Sequence, residues 1–388
     1  MQQKAFSRRN ILLGAGGAFV PVGIGATWHA TRLPEDAIRP WQMVAPDADI
    51  RLHAFRHAVL APNPHNRQPW EIHLIGTNEA LLTCDLDRRL PQTDPFDRQI
   101  TIGFGCFIEI AAIAAAERGF RVDVTPFPEG APQVPTRLDR RPIAHLVFTR
   151  DQDVQPDPLF AAVRFRRSAK MPYNLTRAVP SDAFSALAGV AKGGLKTAHA
   201  ATSAELASLR AVCQRAWDVE YTTARTWQES VNLIRVGARE VNANPDGIAL
   251  TGPFFESLSL LGTDAVRAQA AIPYSKASAS TVKRYADLFI ATPAMIWIST
   301  KGNLRDAQIN AGRAYTRQNL IAASRDLSMQ PVSQALQEYP EMAEQLSHVR
   351  RLCGIEADET LQMLARLGYA EVPVSPTPRW PLEKKIRF

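Results

Sequence analysis

The 388 residues carry 46% hydrophobic and 21% charged side chains, the balance of an ordinary globular protein with chain enough for two domain-sized units. The formal charge is +7, of which Lys4, Arg8 and Arg9 supply three units within an acid-free first thirty residues, leaving only +4 for the rest. So mild a charge argues against a nucleic-acid partner, and no internal run of about 18 apolar residues suggests a multi-pass membrane protein.

The chain opens with "SRRNILLGAGGAFVPVGIGA", a paired arginine directly before an apolar stretch from Ile11 to Ala26. A basic segment followed by a short apolar one is the pattern of an export signal. The order Ser7, Arg8, Arg9, Leu12 resembles the twin-arginine class of bacterial signals. "GAGGAF" invites a reading as a dinucleotide loop, but it follows a basic segment rather than a strand, and no acidic residue closes a βαβ unit near it. Residues 1–30 are therefore expected to engage the twin-arginine export machinery and direct the protein to the periplasm. No membrane span is expected in the mature form.

Residues 31–46 include the proline-punctuated "PEDAIRPWQMVAP" and read as a linker. A helix is expected from Asp47 to about His57, with apolar positions at Ile50, Leu52, Ala54, Phe55 and Ala58. "APNPHNRQPW" follows, a turn unusually rich in amides and prolines. "WEIHLI" and "ALLTCDL", separated by "GTNE", predict a hairpin. A long helix then runs through "ITIGFGCFIEIAAIAAAE" to Gly119, followed by an alternating strand at Phe120, Val122 and Val124 and another strand in "RRPIAHLVFT". "DQDVQPDP", 151–158, is a polar joint between two units, 47–150 and 155–388. The second unit opens with "RFRRSAK" and continues through helical stretches at 181–190 and 203–240. A Gly/Pro-rich loop then ends in two adjacent phenylalanines, the kind of loop that covers a site. The buried strand "TPAMIWIST" and a second long helix in "RDAQINAGRAYTRQNLIAASRDLSM" complete the pattern. Cys84, Cys106, Cys213 and Cys353 are scattered, which favours buried thiols over disulfides. His53 and His57 have helical spacing but no acidic third ligand, so no metal is expected.

The two long helices align without a gap: Ile102 meets Ile309, Gly105 meets Gly312, Ile113 meets Leu320 and Phe120 meets Leu327. A glycine inside a helix costs roughly 1 kcal/mol against alanine. Two such costs at equivalent places predict an internal repeat whose helices pack closely together.

"RFRRSAK" gathers Arg164, Arg166, Arg167, Ser168 and Lys170, three guanidinium forks, a hydroxyl and an ammonium that suit an anion. The tail "SPTPRWPLEKKI" adds Arg379. On these residues the chain resembles the nitroreductase family of FMN proteins. "PNPHNRQPW" is similar to its Pro-Ser-Ser-x-Asn-x-Gln-Pro-Trp segment, "RRSAK" to its Arg-x-Ser-x-Lys/Arg phosphate motif, "LSMQPVSQ" to the loop after its central helix, and "PTPRWPL" to its terminal Lys-x-Arg segment. The motif order is inverted relative to the ordinary family, where two identical subunits share each site. The resemblance is therefore to the fused two-repeat, Acg-like type.

The resemblance implies an α+β, nitroreductase-like fold of two fused halves forming an intrachain pseudo-dimer, with one FMN. Asn63, Pro64, Asn66 and Gln68 would meet the flavin ring, and Arg166, Arg167, Ser168, Lys170 and Arg379 the phosphate and ribityl chain. Pro331, Val332 and Ser333 would line the ring face with a backbone N–H near N5. Ser333-Gln334 stands where many members have Glu-Gly. The expected function is FMN-dependent hydride transfer between a small-molecule electron donor and a nitro, quinone or flavin acceptor. The alternative is a non-catalytic protein that sequesters FMN.

Overall fold

The computed structural model describes residues 33–42, 47–273 and 275–387, and the predicted export signal lies outside the described residues. Its first element is a short helix, α1 (Glu35–Ile38), inside the segment expected as a linker; a turn of 3-10 helix, Arg39–Trp41, buries Trp41. The first half then follows as α2 (Ile50–Ala58), β1 (Trp70–Ile75), β2 (Glu79–Cys84), α3 (Arg98–Ala116), β3 (Phe120–Pro126) and β4 (Ala144–Arg150). The second half runs α4 (Ser181–Ala188), β5 (Leu195–Ala200), α5 (Ser203–Thr222), α6 (Ala224–Asn232), β6 (Ile234–Val236), α7 (Gly237–Ala243), β7 (Ile248–Leu250), α8 (Pro253–Ser259), α9 (Thr263–Ala271) and α10 (Lys276–Ile290). It closes with β8 (Ala294–Lys301), α11 (Arg305–Ala323), β9 (Ser328–Pro331), α12 (Ala343–Leu352), β10 (Glu359–Gly368) and β11 (Ile386–Arg387).

Strand order shows the repeat. The first sheet runs β11-β1-β2-β4-β3 and the second β5-β8-β10-β9. Every pairing in both is antiparallel except that of β11 with β1. Each half is thus helix, two strands, long helix, two strands. The second differs by the insertion of α5 to α10 where β1 and β2 are joined by a short turn. The expected α+β class and two-half organisation are therefore present. The helix expected across 203–240 is broken instead: β-branched Ile234 and Val236 pair with Ile248 and Leu250, and Gly237 turns the chain at φ 78°. Strands β5 and β10 had no clear signal, the first because "LKTAHA" mixes small and polar residues.

The long helices cross at their glycines. A Cβ on Gly105 would stand 2.1 Å from the Ile309 carbonyl oxygen, and one on Gly312 would stand 2.0 Å from that of Ile102. The contacts are reciprocal, as in a two-fold interface. The first residues of the helices repeat the relation. Arg98 donates to Leu336 O, to Gln362 O at 2.9 Å and to Glu338, while Arg305 donates to Phe96 O at 2.8 Å, to Thr136 O and to Thr101. Each arginine reaches into the opposite half. Arg313 and Arg317 pair across the crossing with Glu109, at 2.7 and 2.9 Å. Helix α3 is long and apolar enough to span a membrane by composition, but almost all of it is buried here between sheet and partner helix. All four cysteines are buried free thiols.

Two arms tie the halves together. Beyond β4 the chain crosses to the second half, where Ser168 bridges Met329 in parallel and Tyr173 bridges Ala370. Beyond β10 the tail returns and adds β11 to β1, pairing Ile386 with Ile72.

Candidate functional site

The turn between α2 and β1 is strained. His65, Asn66 and Gln68 adopt φ of 45°, 53° and 49°, a left-handed conformation that non-glycine residues hold only when neighbours over-determine it. The amides supply that constraint. Asn63 Oδ1 accepts from the Gln68 N–H at 2.7 Å, and Asn63 Nδ2 donates to Ala61 O at 3.1 Å. Gln68 is fully buried, with Nε2 donating to Pro245 O at 2.7 Å and Oε1 accepting from the Trp380 N–H at 2.9 Å. The Gly247 N–H donates to Asn66 O at 3.3 Å, and Lys385 Nζ donates to Gln68 O at 2.6 Å. Asn63 and Pro64 rest on α3 at Gly103, where a Cβ would stand 3.4 Å from both. Trp70 is buried against Phe107, their rings 4.9 Å apart. The amide atoms of Asn66 and Gln68 thus hold the turn to the tail and to the 244–247 loop of the insertion.

The cations lie directly behind this turn. Asn66 Oδ1 accepts from Arg379 at 2.6 Å, while Asn66 Nδ2 donates to Pro378 O at 2.9 Å. Arg379 also donates to Leu60 O and Ala61 O, and Arg166 donates to Leu60 O at 2.7 Å. Arg167 donates to Arg164 O and Arg166 O. Among the described residues, none of these three arginines faces a carboxylate: their acceptors are carbonyls and the Asn66 amide. Burial pushes the Arg166 guanidinium down to about 10, and burial with Arg166 and Arg167 nearby holds Arg379 well below its usual range. The Nε–H groups of Arg166 and Arg379 are buried with no acceptor among the described residues. A buried cation that keeps a free donor is costly unless an anion completes it.

The other expected residues are less closely joined to this centre. Ser168 lies on the arm beside β9, bridging Met329 two residues before Pro331. Lys170 has an exposed side chain and accepts from Arg284 through its carbonyl at 2.8 Å. Its charge, after burial, depresses the His65 imidazole to about 4 together with Arg67. Pro331 and Ser333 are half-buried. Val332 is buried in the core of the second half, and its N–H is used by Leu364 O at 2.9 Å. Among the described residues no hydrogen bond ties Pro331, Val332 or Ser333 to the amide turn. The structure therefore unites Asn66, Gln68, Arg166, Arg167 and Arg379 most closely, with Asn63 and Pro64 on the same turn.

Residues outside the sequence expectation complete the frame. Asp246, on the Gly/Pro-rich loop, accepts from Arg88 at 2.7 Å, Arg235 at 2.9 Å and Arg67 at 3.3 Å, anchoring that loop beside the turn. The two phenylalanines expected to end that loop lie instead in α8, started by Pro253 after the strand β7: Phe254 is exposed and Phe255 packs into a small core with Val231 and Val236. Lys385, buried and facing a carbonyl, is depressed to about 7 by burial. Trp41 covers the arginines; its only sequence signal was an aromatic between a proline and a polar residue. Clefts of about 330 Å³ beside Glu109 and Arg317 and about 460 Å³ beside Arg118 and Phe120 are lined by none of Arg166, Arg167 and Arg379.

No protein-family model matches the chain. It is 25% identical over 354 residues to two Mycobacterium tuberculosis proteins, from strains CDC 1551 / Oshkosh and H37Rv, each named a "Putative NAD(P)H nitroreductase"; the match covers 88% of this chain and 92% of theirs. That likeness extends through both halves. Among solved structures, the chain is similar to an FMN- and NADPH-dependent nitroreductase, NfnB, of a Sphingopyxis strain (16% identity, TM-score 0.37, 60% of this chain and 99% of that one). It is also similar to a Bacteroides fragilis nitroreductase with bound FMN (12% identity, TM-score 0.33, 56% of this chain and 92% of that one).

Proposed function

We propose that this protein is an FMN-dependent oxidoreductase of the nitroreductase type, in its fused two-repeat, Acg-like form. The observation that carries this reading is the pair Arg166 and Arg379, buried beside the half-buried Arg167 with no carboxylate partner among the described residues and with two unsatisfied Nε donors. A dianionic phosphate supplies both the charge and the acceptor atoms that the trio lacks. Arg166 and Arg379 would hold it from the second half, with Arg167 adding charge. The strained amide turn of the first half would bring backbone and proline surface to the ring. When bound, FMN supplies hydride transfer through N5 to a nitro, quinone or flavin compound. The protein's own part is to fix the phosphate end, hold the turn rigid through Asn66 and Gln68, and keep water from the arginines. Ser168 and Lys170 on the first arm, with Pro331, Val332 and Ser333 at the end of β9, complete the proposed lining. We further infer export through the twin-arginine route with the cofactor already bound, which requires a small-molecule electron donor present outside the cytoplasm.

The deciding experiment is the absorbance spectrum of the purified mature protein, followed by anaerobic addition of NADH and of NADPH. A flavin spectrum near one FMN per chain that bleaches on addition is the expected result. A bound flavin that stays oxidised with either nucleotide removes NAD(P)H as donor and favours sequestration. Absence of flavin after reconstitution overturns the cofactor reading.

A further inference from the structure

The segment between the export signal and α2 is more than a tether. Trp41 is buried, and its ring faces all three arginines of the cluster: the guanidinium carbons of Arg167, Arg379 and Arg166 stand 4.4, 5.3 and 5.5 Å from the ring centroid. The ring is held in place from several sides. Its Nε1–H donates to Thr377 O at 2.7 Å, two residues before Arg379, and its carbonyl accepts from Arg164 at 3.4 Å. One turn earlier, Ala37 O accepts from the Arg379 N–H at 2.7 Å, and the Ala37 N–H donates to Asn242 Oδ1 of α7 at 3.0 Å. The segment is thus stitched to the tail, to the first arm and to the insertion.

Three guanidiniums gathered around one ring, two of them buried and Arg167 half-buried, repel one another. A protein can hold such a group together with a carboxylate, but a carboxylate would neutralise the cluster and compete with an incoming anion. An indole face attracts cations within about 6 Å through its quadrupole and carries no charge that an anion must displace. The geometry points to Trp41 as a positioning residue of the anion site: its π face holds Arg166, Arg167 and Arg379 convergent before the phosphate arrives. This inference deepens the FMN reading and rests on it for the identity of the ligand, but the underlying claim concerns any phosphate-bearing anion at the cluster. It also assigns a role to the mature N-terminus, because a chain beginning after Trp41 would lack the platform.

The test compares the mature protein with Trp41→Phe and Trp41→Met, measuring Kd by calorimetry for FMN, for riboflavin, which lacks the phosphate, and for inorganic phosphate. Phenylalanine keeps a weaker π face and methionine keeps bulk without one. Affinity for FMN and phosphate is expected to fall in the order Trp, Phe, Met, with about a tenfold loss at Met and little change for riboflavin. If Trp41→Met does not fold by circular dichroism, Trp41→Phe still carries the test, with a several-fold loss expected for the two phosphate-bearing probes alone. Wild-type affinity in the folded variants overturns the inference; tighter binding does so too, since it makes Trp41 a plug. Phosphate binding that depends on Trp41 in a chain that takes no FMN keeps the inference and removes the FMN reading. FMN binding indifferent to residue 41 does the reverse. If neither probe binds the wild-type protein, both fall.

Discussion

At the scale of single residues, burial has set the protonation of groups that composition alone leaves ordinary. His57, on α2, donates its Nδ1–H to the His53 carbonyl at 2.9 Å and packs against Phe160 at 4.9 Å. Burial first, with neighbouring His53 and Arg164, lowers its imidazole from 6.5 to about 4. The folded state therefore holds His57 neutral between pH 4 and 6.5, where the unfolded chain binds the proton. Its contribution to stability is complete above about pH 6.5 and is lost as pH falls towards 4. Between pH 7.5 and 4.5 that loss is on the order of 2 kcal/mol for this one group, from about 1.4 kcal/mol per unit. Urea unfolding at the two pH values should show a smaller acid loss in His57→Gln than in the wild type, whatever the variant's stability at pH 7.5. Equal losses would place the acid sensitivity elsewhere. The same scale shows why site residues were unevenly legible. Asn66, Gln68 and Arg379 stand in motifs and form one hydrogen-bonded set. Trp41 with the arginines, and Asp246 with Arg67 and Arg88, act through contacts more than a hundred positions away, and no local pattern carries such information.

At the scale of elements, the crossing of α3 and α11 is where sequence and structure agree most directly. Glycine costs about 1 kcal/mol in a helix interior, so replacing Gly105 or Gly312 with alanine would be stabilising if propensity decided. Sterics decide instead, because the added methyl would sit 2.1 Å from Ile309 O in one case and 2.0 Å from Ile102 O in the other. Each contact is with backbone, which cannot rotate away, so the helices must part and lose packing along their length. Gly105→Ala and Gly312→Ala are each expected to destabilise by about 3 kcal/mol in denaturant titrations. The double variant should lose less than the sum, since one separation of the helices accommodates both methyls. A neutral single variant would show that the helices stand further apart than described. The repeat of glycines was visible because it is local to each helix. The reciprocal reach of Arg98 and Arg305 was not, since their partners at Gln362 and Thr136 lie in other elements. The same holds for β5 and β10, whose pairing with β8 joins segments far apart in the chain.

At the scale of the whole molecule, the symmetry of the frame and the asymmetry of the site predict a stoichiometry. Helices, strand order and interface arginines are duplicated, so the fold itself has room for two equivalent sites. The site components are not duplicated. The turn joining α2 to β1 carries Asn63, Asn66 and Gln68, whereas its counterpart joining α4 to β5 reads Gly189-Val-Ala-Lys-Gly-Gly194 and has no amide side chain. Gly103 receives the first turn; the equivalent position on α11 is Asn310, which is exposed. Both arms also end on one side, since Arg166 and Arg167 from the first and Arg379 from the second share Trp41. A duplicated interface would distribute them to opposite ends. On the FMN reading, the second arm strengthens one site rather than building another. Titration with FMN should therefore saturate at one per chain, and Arg379→Gln should weaken all of that binding. Two equivalents with half the capacity surviving in the variant would mean that the second half-site is functional and that the arms do not converge on a single cofactor.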